Sequence, residues 1–296
     1  MNVFVTGASG YNGSATVKEL IRAGHHVTGL ARSEESAKII RNLGAEVLRG
    51  HLEDLDILQQ GAVSADGIIH CGFNHDFMKG GAATFSDAAT TDRKAIFAMG
   101  EALKGTEKPI VVTSGMLGLP KINGFITEES IAEHSLRSSE EAALALASEG
   151  IRASVVRLAP SVHDAGDAGF IPFIINQARK NGVSAYPDDG RNRWIGVHRL
   201  DAAKAFRLAV EKGHTGALYN VVDGEAIEMR EIAELIGQEL DLPVASVSGE
   251  DLNNHFEWMS HFITMDCPAA NLKTREMLGW NPNHIGLLED MRLNYF

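Results

Sequence analysis

The stretch Val3-Phe4-Val5-Thr6-Gly7-Ala8-Ser9-Gly10-Tyr11-Asn12-Gly13-Ser14-Ala15-Thr16-Val17 decides the fold. Four strand-forming residues run into three glycines at a spacing of three, and a helix-forming segment continues to Arg22. Gly7 allows the tight turn, Gly10 lets backbone amides approach a pyrophosphate, and Gly13 lets the helix pack closely on the strand. The helix N-terminus adds its positive dipole, so a dinucleotide is the expected ligand, with Tyr11 and Asn12 beside it. Three glycines alone would also fit an ordinary turn in a chain that has 30 of them. The strand before and the helix after give the motif its value.

Working outward, short apolar runs alternate with helical patterns, which is how a parallel sheet covered on both faces is built. The pattern predicts strands at Val3–Thr6, His26–Leu30, Glu46–Arg49, Gly67–His70, Ile110–Thr113, Ala153–Leu158 and Leu218–Val222. It predicts helices at Asn12–Arg22, Glu34–Leu43, Leu55–Gly61, Thr90–Leu103, Leu136–Ser148 and Leu200–Val210, with Gly24, Gly44, Gly105, Gly150 and Gly213 as stops. The expected fold is α/β: a Rossmann doubly wound parallel sheet of about seven strands with a smaller C-terminal substrate lobe. Prolines and aromatics gather after residue 160, including Phe170, Phe173, Tyr186 and Trp194. The lobe is therefore expected to be discontinuous, residues 163–196 plus 223–296, around a nucleotide-binding domain of residues 1–162 plus 197–222.

At the end of the second strand, an acidic residue would hold the ribose hydroxyls of NAD. The chain instead reads Ala31-Arg32-Ser33, a guanidinium fork and a hydroxyl suited to a 2′-phosphate, so NADP is the expected cofactor. Arg32 pointing only to water would be the plain alternative. The net charge of −12 argues against nucleic acid as a partner. No apolar run approaches the roughly 20 residues of a membrane span, and the chain opens on a strand rather than a signal peptide, so a cytoplasmic location is expected. Cys71 and Cys267 are too few for a disulfide framework, and no metal-binding spacing is present, so no metal is expected.

The order TGASGYNG, LARS, GHLEDLDIL, DGIIHCGF, IVVTSG and GIRASVVRLAPSVHD resembles the extended and atypical short-chain dehydrogenase/reductases, an epimerase/dehydratase-like group, over nearly the whole chain. The resemblance implies an adenine contact at Leu52, with His51 where an Asp is usual, and cofactor contacts at Cys71, Gly72 and Phe73 after the fourth strand. It also implies that Thr113 borders the cofactor and that Pro160 and Val162 lie beneath the nicotinamide. It places His198 and Asp201 in a lobe-to-sheet connection.

The chain departs from that family at the catalytic Tyr, which should be followed four residues later by Lys. Its four tyrosines, Tyr11, Tyr186, Tyr219 and Tyr295, have no Lys at that offset. The corresponding segment reads Glu133-His134-Ser135-Leu136-Arg137, and Gly115 stands where the catalytic hydroxyl is usual. The replacement candidates are Ser114 to hydrogen-bond a substrate oxygen, Arg137 as an electrostatic clamp, and His134 or His163 as titrating groups. A local hydroxyl, a surface arginine and structural histidines are the plain alternatives. The expected function is an NADPH-dependent oxidoreductase reducing a small organic carbonyl or related electrophile with a non-standard proton donor. A redox-silent NADP-binding sensor or scaffold, and a cofactor-assisted epimerase or isomerase, remain as alternatives. The expected partner is a small-molecule substrate, with the protein a monomer or homodimer.

Overall fold

A computed structural model describes residues 1–75, 84–132 and 137–296. In chain order the strands are β1 Asn2–Thr6, β2 His26–Ala31, β3 Glu46–Arg49, β4 Gly67–His70, β5 Ile110–Gly115, β6 Ala153–Leu158, β7 Ser161–His163, β8 Ser184–Pro187, β9 Arg193–His198, β10 Leu218–Val221, β11 Ala226–Glu228 and β12 Val244–Val247. Seven of them form one parallel sheet in the order β10-β6-β5-β4-β1-β2-β3. Strand order reverses between β1 and β4, and ligands of open α/β sheets bind outside the strand ends at such a point.

Alternation along each strand feeds two cores. Val3, Val5, Ile69 and Val111 face one side with Val17, Leu20 and Phe206, while Phe4, Ile68 and Val112 face the other with Leu58, Ile96 and Leu146. The first face is covered by α1 Tyr11–Arg22 and α7 Arg199–Lys212, and the second by α3 Leu55–Ser64, α4 Phe85–Glu101 and α5 Ser139–Ser148. Helix α2, Glu34–Asn42, follows β2.

All seven expected sheet strands form, with ends shifted by at most two residues. Helix α4 starts at Phe85 rather than Thr90, because Thr84 and Asp87 make a capping box. Helix α5 starts at Ser139 rather than Leu136, and Leu136 lies outside the described residues. Gly24, Gly44, Gly105 and Gly150 all take positive φ, as helix-closing glycines do. Gly213 closes α7 differently: its φ is −61°, and a Cβ there would press on the carbonyl of Ala209.

The chain after residue 160 adds a three-stranded sheet, β11-β9-β7, and a two-stranded one, β12-β8. With them come α6 Phe170–Asn181, α8 Met229–Leu240, α9 Gly249–Phe256, α10 Ser260–Ile263, α11 Leu272–Leu278 and the C-terminal α12 Leu287–Asn294. Among the described residues no helix is long and apolar enough to cross a membrane.

Candidate functional site

The glycine loop lies at the topological switch. Gly7 has φ +66°, and a Cβ on it would sit 2.7 Å from Gly72 N and 2.8 Å from the Cys71 carbonyl, so the loops after β1 and β4 touch. Gly13 is closed in the same way, since a Cβ there would overlap the carbonyl of Gly7. Gly10 N donates to Gly7 O at 2.9 Å, and Gly10 caps α1 without a side-chain partner. The first-turn amides of α1 are therefore oriented for an anion. Asn12 Oδ1 is buried with no partner among the described residues. This cradle, with its close backbone turns and the dipole of α1, fits a dinucleotide pyrophosphate. Tyr11 turns away from it: its hydroxyl donates to Asp164 O at 2.9 Å, and the Arg199 guanidinium lies 4.2 Å from its ring centroid. Burial and the nearby Asp167 push this phenol well above its ordinary range.

At the adenosine end, Arg32 is exposed just past β2. The Ser33 hydroxyl is engaged as the N-cap of α2, accepting from Ser36 N at 3.1 Å. A second guanidinium arrives from the end of β3, where Arg49 Nη1 donates to Ser33 O at 2.6 Å. Sequence reading missed Arg49, and the pairing of β2 with β3 is the only signal that would have found it. Leu52 is half-buried against Gly72, where a Cβ would lie 3.1 Å from its Cδ2. His51 is exposed, and its amide donates to Asp54 Oδ2 at 2.7 Å.

Beyond β4 and β5 the polar groups form one continuous chain. Gly72 N donates to Thr6 Oγ1 at 3.1 Å, and that oxygen meets His70 Nδ1 at 2.7 Å. His70 Nε2 meets Asp92 Oδ1 at 3.0 Å, Ser139 Oγ donates to Asp92 Oδ2, and Arg137 Nε donates to Ser139 Oγ at 2.8 Å. Burial pushes the Asp92 carboxyl up, but the hydrogen bond and charge of His70, with Arg137 and Ser139, outweigh it and hold the group below its usual range. The Arg137 guanidinium lies 4.2 Å from the centroid of the Phe73 ring. Thr113 Oγ1 donates to His70 O at 2.8 Å. Ser114 is buried at the end of β5, and Gly115 is exposed with no described atom within 4 Å of where its Cβ would be.

A family model described as the NAD dependent epimerase/dehydratase family matches residues 3–222. The chain belongs to that family. An uncharacterized protein of Saccharomyces cerevisiae is 46% identical, over 100% of this chain and 99% of that one. A 4-hydroxy-2-methyl-3-oxo-4-farnesyl-3,4-dihydroquinoline-1-oxide ketoreductase of Stigmatella aurantiaca is 27% identical, over 80% of this chain and 72% of its own. Among solved structures, a dTDP-glucose 4,6-dehydratase of Streptomyces venezuelae with NAD bound shares the fold, at a TM-score of 0.76 and 20% identity over 99% and 98% of the two chains.

Of the segment Glu133-His134-Ser135-Leu136-Arg137, expected to stand where the catalytic pair is usual, only Arg137 is among the described residues. Pro160, half-buried, joins β6 to β7, and Val162 is half-buried within β7. His163 is wholly buried, its Nδ1 2.8 Å from Asp290 Oδ2 and its Nε2 4.0 Å from Asp223 Oδ2. So enclosed, His163 ties α12 to β7 through Asp290.

Asp164, His198 and Asp290 bring possible metal-donor atoms within 4.8 Å of one another. His198 Nδ1, however, accepts from Leu200 N at 3.2 Å, so the proton of the neutral ring sits on Nε2, the atom a metal would need. A cavity of about 930 Å³ is a groove between α3 and α4 lined by Leu55, Phe85, Arg93 and Phe97. It borders Ser138 but none of the expected cofactor contacts.

Proposed function

We propose that the protein is an NADPH-dependent reductase of a small organic carbonyl or related electrophile. The observation that carries this reading is the held cation Arg137 beside the dinucleotide loop. It stacks on Phe73, and its charge acts on the Cys71 thiol, whose hydrogen-bond neighbours include Thr113. The bound cofactor would supply a hydride. Gly7, Gly10, Asn12 and Gly13 would hold its pyrophosphate, Arg32 and Arg49 its 2′-phosphate, Leu52 its adenine, and Cys71, Gly72, Phe73, Thr113, Pro160 and Val162 the remainder. Ser114 would hydrogen-bond the substrate oxygen and Arg137 would stabilise the charge that grows there. The residues after 160 would form the substrate lobe. The kinship with a ketoreductase agrees with this reading.

The test begins with NADPH and NADH titrated into the apo protein, followed by NADPH consumption across a panel of ketones, aldehydes and enones. Preference for NADPH together with turnover of one substrate class is the expected result. Tight NADPH binding with no turnover of any class would instead assign the protein to cofactor-dependent sensing.

A further inference from the structure

Resting on the reductase reading above, we propose that the site is an oxyanion clamp built on Arg137, and that its substrates are conjugated carbonyls whose reduction passes through a delocalised enolate. Asp92 is a wholly buried carboxylate that can only accept hydrogen bonds. His70 Nε2 and Ser139 Oγ occupy its two oxygens. With the Ser139 proton committed to Asp92, the Ser139 oxygen presents a lone pair, and Arg137 Nε donates to it at 2.8 Å. The guanidinium is thereby oriented over Phe73, and its charge acts on Cys71, just past β4, whose hydrogen-bond neighbours include Thr113 on β5.

At the clamp itself the described residues offer the charge of Arg137, and the His75 imidazole packs against Phe73 with ring centroids 5.2 Å apart. Neither the carboxyl nor the thiol beside the guanidinium is a ready acid: Asp92 is held ionised, and burial pushes the Cys71 thiol up to about 11. The phenols are elsewhere. Tyr11 binds Asp164 O, Tyr295 binds Asp167, Tyr219 accepts from His214 N, and Tyr186 lies under Arg230.

An isolated ketone that accepts a hydride becomes a localised alkoxide, which needs a proton in the same step, and a general acid there contributes about 10²–10⁴ in rate. A conjugated enone does not have that need. The hydride and its electron pair, from the reduced nicotinamide, form a C–H bond at the β-carbon. The alkene pair shifts to join the α-carbon and the carbonyl carbon, and the carbonyl pair moves onto oxygen. The α-carbon then takes one proton from water, leaving a saturated carbonyl and an oxidised nicotinamide. The enolate between these steps is what a cation and a hydroxyl donor stabilise without giving up a proton.

The probe is p-nitrophenol, whose phenolate carries the same delocalised oxyanion, titrated into the NADP⁺-loaded protein above and below its ionisation and followed by absorbance. The ionised form is expected to bind about tenfold or more tightly than the neutral one. Arg137→Met is expected to erase that difference while NADPH affinity stays within about twofold. Arg137→Lys is expected to restore part of it, and Ser139→Ala, which removes the acceptor of Arg137 Nε, is expected to weaken phenolate binding and serves in place of the Met variant should that fail to fold. In parallel, single turnovers of bound NADPH are expected to run about a hundredfold faster with cyclohexenone than with cyclohexanone. Phenolate binding that ignores Arg137→Met, or equal rates with the two ketones, overturns the clamp and leaves the reductase reading standing. Failure to bind NADPH overturns both.

Discussion

Arg49 shows how one residue changes the cofactor argument. Ser33, read as a 2′-phosphate ligand, has its hydroxyl in the capping box of α2, whereas Arg49 reaches the same corner from β3. A guanidinium bond to phosphate contributes roughly 1.5–3 kcal/mol. Arg49→Met is therefore expected to weaken NADPH binding by about tenfold or more and leave NADH binding nearly unchanged, with Arg32→Ala acting in the same direction. Fluorescence titration of both cofactors checks this, and equal losses for NADPH and NADH would show that Arg49 only steadies the loop. Two glycines make a second contrast. Gly13→Ala is expected to abolish dinucleotide binding, because its Cβ meets the Gly7 carbonyl, while Gly115→Ser, with open space around it, is expected to melt like the parent protein. Thermal melts with and without NADPH separate the two.

Between elements, the strongest polar tie joins α5 to β6. Arg157 is wholly buried, donates to both Glu140 oxygens at 2.7 and 2.6 Å, and reaches the carbonyls of Thr127 and Ser130. Arg157→Met leaves the Glu140 carboxylate buried without its partner and is expected to destabilise the fold by about 3–5 kcal/mol. Adding Glu140→Leu is expected to recover much of that loss, and urea unfolding of the single and double variants measures it.

How far the sequence could be read follows the same element-level physics. β4, β6 and β10 are buried along their whole length and are mostly apolar, with His70, Arg157 and Asn220 among the buried polar exceptions, so they read as short strands without a polar face. The three-residue strands β7 and β11 carry too little pattern to be read, and the chain after residue 160 shows in the sequence only a change of composition. The glycine loop was legible because its geometry demands glycine. The chain from Thr6 through His70, Asp92 and Ser139 to Arg137 was not, because its links join residues up to 64 positions apart. The signs it left in the sequence were a histidine closing an apolar strand and an aspartate inside an Ala-rich helix.

At the scale of the whole molecule, the C-terminus is held to β7 by ionisable groups, and stability should record their titration. Asp290 on α12 binds His163 Nδ1, and Asp223, just past β10, faces His163 Nε2 at 4.0 Å. Burial, with the nearby charges of Glu225 and Asp201, raises the Asp223 carboxyl from 3.8 to about 6, against hydrogen bonds from the backbone. The native protein therefore holds this proton more tightly than the unfolded chain does. The resulting stabilisation is complete below about pH 4 and is lost as pH rises to about 6. Burial moves His163 the other way, below its ordinary 6.5, so its contribution is present above that pH and lost as the pH falls. The two opposed slopes can be separated by removing one of them. Asp223→Asn keeps an oxygen for the hydrogen bond from Glu225 N and discards the charge, so it is expected to raise stability at pH 7 by up to about 3 kcal/mol. At pH 3.5, where the native carboxyl is already protonated, the same variant is expected to gain nothing. Urea midpoints at the two pH values decide the matter: an equal gain at both would mean that packing rather than charge limits this corner, and no gain at pH 7 would mean that His163 takes the proton in place of Asp223.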